Sequence, residues 1–302
     1  MVKYSIIIPH YNIPDLLGRC LASIPEREDI QVIVVDDCSP DAKEYPDAIP
    51  ELSRPFVEFY STPIGGSAGR ARNIGVQHAT GKWVTFLDAD DLFVDNVGQI
   101  FDKYSDRTED VIYFRAASVM SDDLSRISDR NIFGYHFETY FKSNNEQLLR
   151  FEFDALWGKL IRKSFIDKYS IRFDEVRYSN DTFFSAAIGV FAKSICVAPE
   201  TAYIVTERSG SLTAGKMKTF EEWKTRYGSA IHVQKLFDEH HIKFKRYAFA
   251  DFLLHMWNKD KSLFIKEFSK LSFQNKRRYI YYHLRDFLTK VRSFKTKSIS
   301  CL

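Results

Sequence analysis

The chain has 302 residues, 45% hydrophobic and 27% charged, with a formal net charge of +3. That length and balance suit one large domain, or a domain with an appendage, while the net charge is too small to imply nucleic acid by itself. The four cysteines, Cys20, Cys38, Cys196 and Cys301, lack Cys-x-x-Cys spacing, which argues against a zinc site or a disulfide framework and fits a reducing cytoplasm.

The chain reaches Pro9, His10 and Asn12 too soon for a signal-peptide apolar region. Phe183 to Ala192 is too short to span a bilayer before Lys193 interrupts it. The expectation is a protein neither exported nor membrane-spanning. Through about residue 120, apolar β-rich runs alternate with helical patterns, the signature of βαβ units and a mostly parallel sheet. Strands are predicted at Ser5 to Pro9, Gln31 to Asp36, Phe56 to Tyr60, Lys82 to Leu87 and Val111 to Ala116. Helices are predicted at Pro14 to Ile24 and at Ala68 to Ala79, the second introduced by Gly65-Gly66-Ser67 and stopped by Gly81. Val32-Ile33-Val34-Val35 is apolar on both faces, as a buried parallel strand should be.

Beyond Ser118 the rhythm breaks into polar, aromatic-rich loops, resuming with a helix at about Asp181 to Ala192 and a strand near Ile195 to Ala198. From about Thr219, Phe, Tyr, Trp and Lys/Arg recur at helical spacing with almost no Gly or Pro, which predicts amphipathic helices. The domain organisation read from this pattern is an α/β domain over 1–215, in two halves that meet at about 117, and a helical region over 216–302.

Two strands end abruptly in polar residues: Tyr4-Ser5-Ile6-Ile7-Ile8-Pro9 in His10-Tyr11-Asn12, and Val84-Thr85-Phe86-Leu87 in Asp88-Ala89-Asp90-Asp91. Ligands of open α/β sheets bind beyond the carboxyl ends of strands, so these ends offer an aromatic ring and clustered carboxylates to a nucleotide and a metal. Taken alone, Asp90 and Asp91 also read as caps of a following helix. The Gly-x-Gly-x-x-Gly expected of a dehydrogenase after the first strand is absent.

With Val34-Val35-Asp36-Asp37-Cys38-Ser39-Pro40-Asp41, Gly69-Arg70-Ala71-Arg72-Asn73-Ile74-Gly75, Trp157-Gly158-Lys159-Leu160 and Ser179-Asn180-Asp181-Thr182-Phe183-Phe184, these segments make the chain resemble an inverting family 2 glycosyltransferase with the GT-A fold. They occur in that family's order and cover about residues 3 to 205. The resemblance implies an α/β fold with a Rossmann-like central sheet flanked by helices and a C-terminal helical appendage. It implies a nucleotide held by Pro9, Tyr11, Asp37, Arg72 and Asp88, and Mn2+ or Mg2+ held by Asp90 with Asp88. Tyr11 would stack on uracil, Asp37 would accept its ring N–H, and Asp181 would be the base that deprotonates the acceptor hydroxyl. Where similar enzymes place a glutamate before that aspartate, this chain has Asn180. Trp157, Lys159 and Asn180 would lie near the donor sugar and acceptor.

The implied activity is transfer of a sugar from a nucleotide donor, a UDP-sugar foremost, to a glycan or polyprenyl-linked glycan in bacterial cell-surface polysaccharide assembly. A sugar nucleotidyltransferase would need a basic glycine-rich loop after the first strand. A non-catalytic nucleotide- or glycan-binding protein on the same scaffold would tolerate loss of Asp88, Asp90 and Asp181, all of which are present. Tyr135, His136, Phe137 and Tyr140 form an aromatic stretch suited to an acceptor sugar. His10, His78, His240 and His241 show no metal-ligand spacing. The basic, aromatic run from Lys276 to Lys297 reads equally as a helix on an anionic membrane surface, at the inner face of the cell membrane, or as one packed on its own domain.

Overall fold

In a computed structural model of the chain, the described residues are 1–208, 219–244, 253, 256–270 and 276–277. The chain divides into two units, Met1–Lys216 with His232–Phe244, and Met217–Ile231 with Lys245–Leu302. The first unit is built on an eight-stranded sheet, comprising β1 (Tyr4–His10), β2 (Ile30–Asp36), β3 (Val57–Ser61), β4 (Trp83–Phe86), β5 (Leu92–Phe93), β6 (Val111–Met120), β7 (Lys159–Arg162) and β8 (Ile195–Glu207). The order is β3-β2-β1-β4-β7-β6-β8-β5. β3, β2, β1 and β4 run parallel, as do β6 and β8, whereas β7 lies antiparallel between β4 and β6, and β5 antiparallel on β8. A mixed α/β architecture is what the alternating pattern implied.

In the parallel half β1, β2 and β4 are buried on both faces, and the edge strand β3 only partly. Ile6, Ile8, Val32 and Val34 enter one core layer, and Ile7, Ile33 and Val35 the other, so alternation of side chains along β1 and β2 fills both layers at once. Helix α1 (Pro14–Ala22) opens on a proline, carries Asp15 in its first turn and Arg19 in its last, and buries Leu17, Cys20 and Leu21. Those charges complement the helix dipole. A short α2 (Tyr45–Ala48) precedes β3. Helix α3 (Ala68–His78) is capped by Ser67, whose hydroxyl accepts the Arg70 N–H at 3.3 Å. It lies close on β1 because residue 75 is glycine: a Cβ there would stand 2.3 Å from Ile7 Cγ2.

The stretch beyond Ser118, read from sequence as loops, holds α5 (Gly134–Ser143), α6 (Gln147–Phe151), β7 and α7 (Lys163–Tyr169); α4 (Val97–Tyr104) and β5 were likewise not anticipated. These elements are short, and β7 is a four-residue strand, Lys-Leu-Ile-Arg, with a charge at each end. Its signal lies in tertiary packing, because Leu160 and Ile161 are buried between β4 and β6. Helix α8 (Thr182–Phe191) matches expectation, while β8 runs to Glu207, well beyond Ala198, with register shifts against β6 near Arg115.

Helix α9 (Phe220–Glu239) buries Val233, Leu236 and Phe237 in the first unit's core. In the second unit Tyr227, Leu253, Met256 and Phe264, the last from α10 (Lys261–Lys270), pack together. Of the basic run Lys276 to Lys297, only Lys276 and Arg277 fall within the described residues, so that reading lies outside them. Among the described residues no helix is long and apolar enough to cross a membrane.

Gly75→Ala should destabilise the protein by about 1–3 kcal/mol, because the added methyl overpacks α3 against buried Ile7. Urea unfolding measures this, and an unchanged midpoint would show that α3 can ride off β1 without cost.

Candidate active site

The carboxyl ends of β1 and β2 are tied by one buried hydrogen-bond chain. His10 and Asp36 have fully buried side chains with Nδ1 and Oδ2 2.8 Å apart. The Ile13 N–H donates to His10 Nε2 at 3.2 Å, so Nε2 is the acceptor and Nδ1 carries the proton given to Asp36. Asp36 also accepts the Ser39 N–H at 2.7 Å and the Ser39 hydroxyl at 2.6 Å, and the Asn12 N–H donates to that hydroxyl oxygen at 2.7 Å. Burial alone would raise the Asp36 carboxyl, but the His10 and Ser39 hydrogen bonds outweigh it and hold it below the usual carboxylate range.

This knot fixes two turns whose pivots, Asn12 at φ 50° and Cys38 at φ 66°, are left-handed. Between its strands it presents Tyr11, 58% exposed, and Asp37, which accepts the Gly66 N–H at 3.1 Å and the Thr62 hydroxyl at 3.2 Å. Pro9 is buried within β1 and serves to place these residues. His78 stacks on Tyr60 at 4.0 Å.

The second cluster lies beyond β4. Asp91 is buried, accepting the Tyr203 hydroxyl at 2.8 Å and the Thr206 N–H at 2.7 Å, both from β8. Burial, reinforced by the charges of Asp88 and Asp90, pushes its carboxyl well above the usual range. The next elements are β5 and then α4, whose N-cap is Asn96; Asp90 and Asp91 therefore do not cap a helix, and Asp91 anchors the loop to β8 instead. The Tyr203 oxygen also accepts the Asp88 N–H at 3.0 Å, and Arg19 donates to the Asp90 carbonyl at 3.0 Å. These bonds turn the carboxylates of Asp88 and Asp90 outward.

Arg72, 7% exposed, joins this loop to the start of α8. Its Nη2 donates to Asp88 Oδ1 and its Nη1 to Asn180 Oδ1, both at 2.7 Å, and its guanidinium lies 5.7 Å from the Phe173 ring centroid. Gly69 allows the approach, because a Cβ there would stand 2.2 Å from the Asp174 carbonyl oxygen and 3.0 Å from Asn180 Cβ. Asn73 fixes the same loop, donating to the Phe173 carbonyl at 3.1 Å and accepting the Phe173 N–H at 2.9 Å.

Asp181 occupies the N-cap position of α8, yet its side chain makes no capping hydrogen bond. The half-buried carboxyl is raised by burial, with Asp88 adding to the effect while Arg72, its own backbone N–H and Lys159 oppose it. A carboxylate left unspent, with a raised pKa, beside a pinned arginine is suited to take a proton.

The remaining residues are placed differently. Lys159 is 1% exposed; its ammonium donates to the carbonyls of Phe153 at 3.0 Å and Ala155 at 2.5 Å, holding that loop from inside. Half-buried Trp157 stacks on Tyr203 with centroids 5.6 Å apart, backing the Asp88 loop. Sequence reasoning missed Arg208, whose Nε meets Asp90 Oδ2 at 3.0 Å, and the supporting roles of His10, Asn73 and Tyr203.

Among the described residues no group of three or more His, Cys, Asp or Glu side chains could hold a metal ion alone. Asp88 and Asp90 each give one carboxylate oxygen to an arginine and keep the other. Mg2+ and Mn2+ commonly take one or two protein carboxylates and complete their shell with substrate phosphate and water, so the pair fits such an ion.

The chain matches the family model described as Glycosyl transferase family 2 over residues 5–170. It belongs to glycosyltransferase family 2. It is 24% identical over 233 residues to glycosyltransferase GlyA of Streptococcus pneumoniae, covering 70% of this chain and 31% of that protein. It is 27% identical over 224 residues to the succinoglycan biosynthesis protein ExoO of Rhizobium meliloti, covering 69% of this chain and 62% of that protein. The matches thus span less than two thirds of these relatives. In fold, this glycosyltransferase resembles S. aureus TarS 1–349 in complex with UDP-GlcNAc, with a TM-score of 0.61 and 18% identity over 93% of this chain and 79% of that one. It also resembles the mannosyltransferase PcManGT of Pyrobaculum calidifontis in complex with GDP-Man and Mn2+, with a TM-score of 0.52 and 15% identity over 95% of this chain and 83% of that one.

The folded-state pKa of Asp181 lies above that of an unfolded carboxyl, about 3.9. Its ionisation therefore works against the fold at neutral pH, and the penalty vanishes below the unfolded value, where both states are protonated. Asp181→Asn in this glycosyltransferase should melt higher than wild type at neutral pH and level with it in acid. Melting curves across pH measure the difference, and a variant that melts lower at neutral pH would contradict the assignment.

Proposed function

We propose that this family 2 glycosyltransferase moves a sugar from a UDP-sugar to a hydroxyl of a glycan or lipid-linked glycan, inverting the anomeric centre, with Mn2+ or Mg2+ at Asp90 and Asp88. The observation that carries the reading is the Asp181 carboxylate, uncommitted at the head of α8 and joined through Asn180 and Arg72 to Asp88. Single displacement requires one base on the acceptor side and charge compensation on the leaving-group side.

The proposed division follows the two halves of the fold. Residues to about 117 hold the nucleotide: Tyr11 stacks on the base, and Asp37 accepts the N3–H of uracil, a donor that cytosine lacks. Arg72 orients Asp88 toward the ribose and the ion. When bound, the ion would neutralise charge developing on the departing diphosphate. Residues from about 118 to 215 hold the acceptor. Asp181 takes the proton of the acceptor hydroxyl while its oxygen bonds to the anomeric carbon, and the bond from that carbon to the diphosphate oxygen breaks, releasing UDP. Trp157, through Tyr203, and Lys159, through the Phe153 and Ala155 carbonyls, support the two sides without touching the reacting atoms. The UDP-GlcNAc complex of TarS and the succinoglycan role in ExoO's name support a UDP-sugar donor and a bacterial surface polysaccharide product. We place the activity in the cytoplasm, at the inner face of the membrane.

Asp181→Ala is expected to abolish transfer while leaving UDP affinity within about twofold, read by calorimetry and by UDP release. Full turnover in that variant would remove Asp181 from the mechanism. Asp90→Ala should weaken UDP binding about tenfold with Mn2+ present and little with chelator, and unchanged binding would count against an ion at Asp90. The acid limb of kcat/KM should fall above the ordinary carboxylate range, because the burial-raised Asp181 must be ionised to act.

A further inference from the structure

The aromatic stretch of α5 separates into core and surface. Phe137 is buried, whereas Tyr135 is 49% exposed. The Tyr135 ring lies 4.1 Å from that of His136, and its hydroxyl donates to Glu152 Oε1. The exposed face of that ring is open to the apolar face of a ligand.

Beneath it, His136 is 1% exposed. Its Nδ1 lies 3.1 Å from the Phe133 carbonyl oxygen and so carries the proton, while burial lowers the ring's pKa and favours the neutral form. Nε2 is then a lone-pair acceptor. Among the described residues it has no hydrogen-bond partner, and 3.9 Å away stands Glu152 Oε1, a second acceptor. Two acceptors facing each other call for an external donor, which would reach Nε2 by parting the Tyr135 and Glu152 side chains, both partly exposed. A pyranose supplies both complements: an apolar C–H face for the aromatic ring and O–H donors for the acceptors.

The segment from Glu152 to Trp157 connects this group to the reaction centre. The Ser185 hydroxyl donates to the Asp154 carbonyl at 2.7 Å, and the Ser185 N–H to the Asp181 carbonyl at 2.9 Å. Two residues of chain, at most about 7 Å, separate Glu152 from Asp154, and Ser185 lies about one helical turn, 5.4 Å, from Asp181. Tyr135 therefore stands within a few sugar lengths of the base.

We propose that Tyr135, Glu152 and His136 form a saccharide subsite, in which a pyranose of the acceptor lays its C–H face on Tyr135 and donates hydroxyl hydrogens to Glu152 and His136 Nε2. The assignment rests on the transferase reading above, and two readouts keep them apart. Saturation-transfer NMR on the UDP-treated full chain, with methyl glycosides of glucose, galactose, N-acetylglucosamine and rhamnose, reports the subsite; UDP calorimetry reports the donor site. Wild type should saturate the ring C–H protons of at least one glycoside. Tyr135→Ala and Glu152→Gln should lose that signal with UDP affinity within about twofold of wild type, and Tyr135→Phe should retain part of it. No saturation of any glycoside by wild type, or a signal that persists in both Tyr135→Ala and Glu152→Gln, would overturn the subsite. A signal lost in those variants on a protein that does not bind UDP would uphold the subsite and contradict the UDP-donor reading.

Discussion

The buried guanidinium of Arg72 is the contact on which the rest of the site depends. Removing an arginine from water is costly unless its charge is matched and its donors are used, and here a carboxylate and an amide oxygen take one donor each while the Nε finds no partner. The arrangement persists because α3 can press against the 173–180 loop at Gly69 and is bolted there by Asn73. Through this one side chain, the loop that carries Asp88 is joined to the residue that precedes Asp181 at the head of α8. Asn180 thereby gains a structural rationale: a neutral amide accepts from the arginine without placing a second buried negative charge beside Asp181, whose carboxyl burial already raises.

Around this bridge, acidic and amide residues come in adjacent pairs that share the labour. In Asp36-Asp37 the first is locked to His10 and Ser39 while the second faces outward. In Asp90-Asp91 the second is locked to Tyr203 and Thr206 while the first keeps an open oxygen. In Asn180-Asp181 the amide is locked to Arg72 and the carboxylate is left uncommitted. In each pair the buried partner fixes the backbone that carries the other, and under the proposed function that amounts to preorganisation. Trp157 and Lys159 extend the same logic outward, one backing Tyr203 and the other holding the 153–155 carbonyls.

Much of this was legible in the sequence because the parallel half carries strong local signals: two-faced apolar runs for β1 and β2, a serine cap for α3, and polar residues at strand ends. The preference for Asp37 over Asp36 came from resemblance alone, since either could serve a turn; in the fold Asp36 is the buried one, bonded to His10. The elements between Ser118 and Asp181 were not readable, because β7, α6 and α7 are too short for periodicity to show, while α5 sets aromatics on both its buried and exposed sides, Phe137 against Tyr135 and Phe141. Lys159 illustrates the limit: the resemblance set it near the donor sugar and acceptor, and its burial against the Phe153 and Ala155 carbonyls is decided by packing that no local pattern encodes. The Arg208 pairing with Asp90 likewise joins residues far apart in the chain.

The proposed coupling through Arg72, between the nucleotide half and the start of α8, is open to a double-mutant cycle on UDP affinity. Asn180→Ala, which touches neither base nor phosphate in this account, should weaken UDP binding when Arg72 is present and have no further effect in an Arg72→Met background. The coupling energy is expected to be about 1 kcal/mol or more. Strictly additive losses, or an Asn180→Ala variant that binds UDP as wild type does, would contradict the claim.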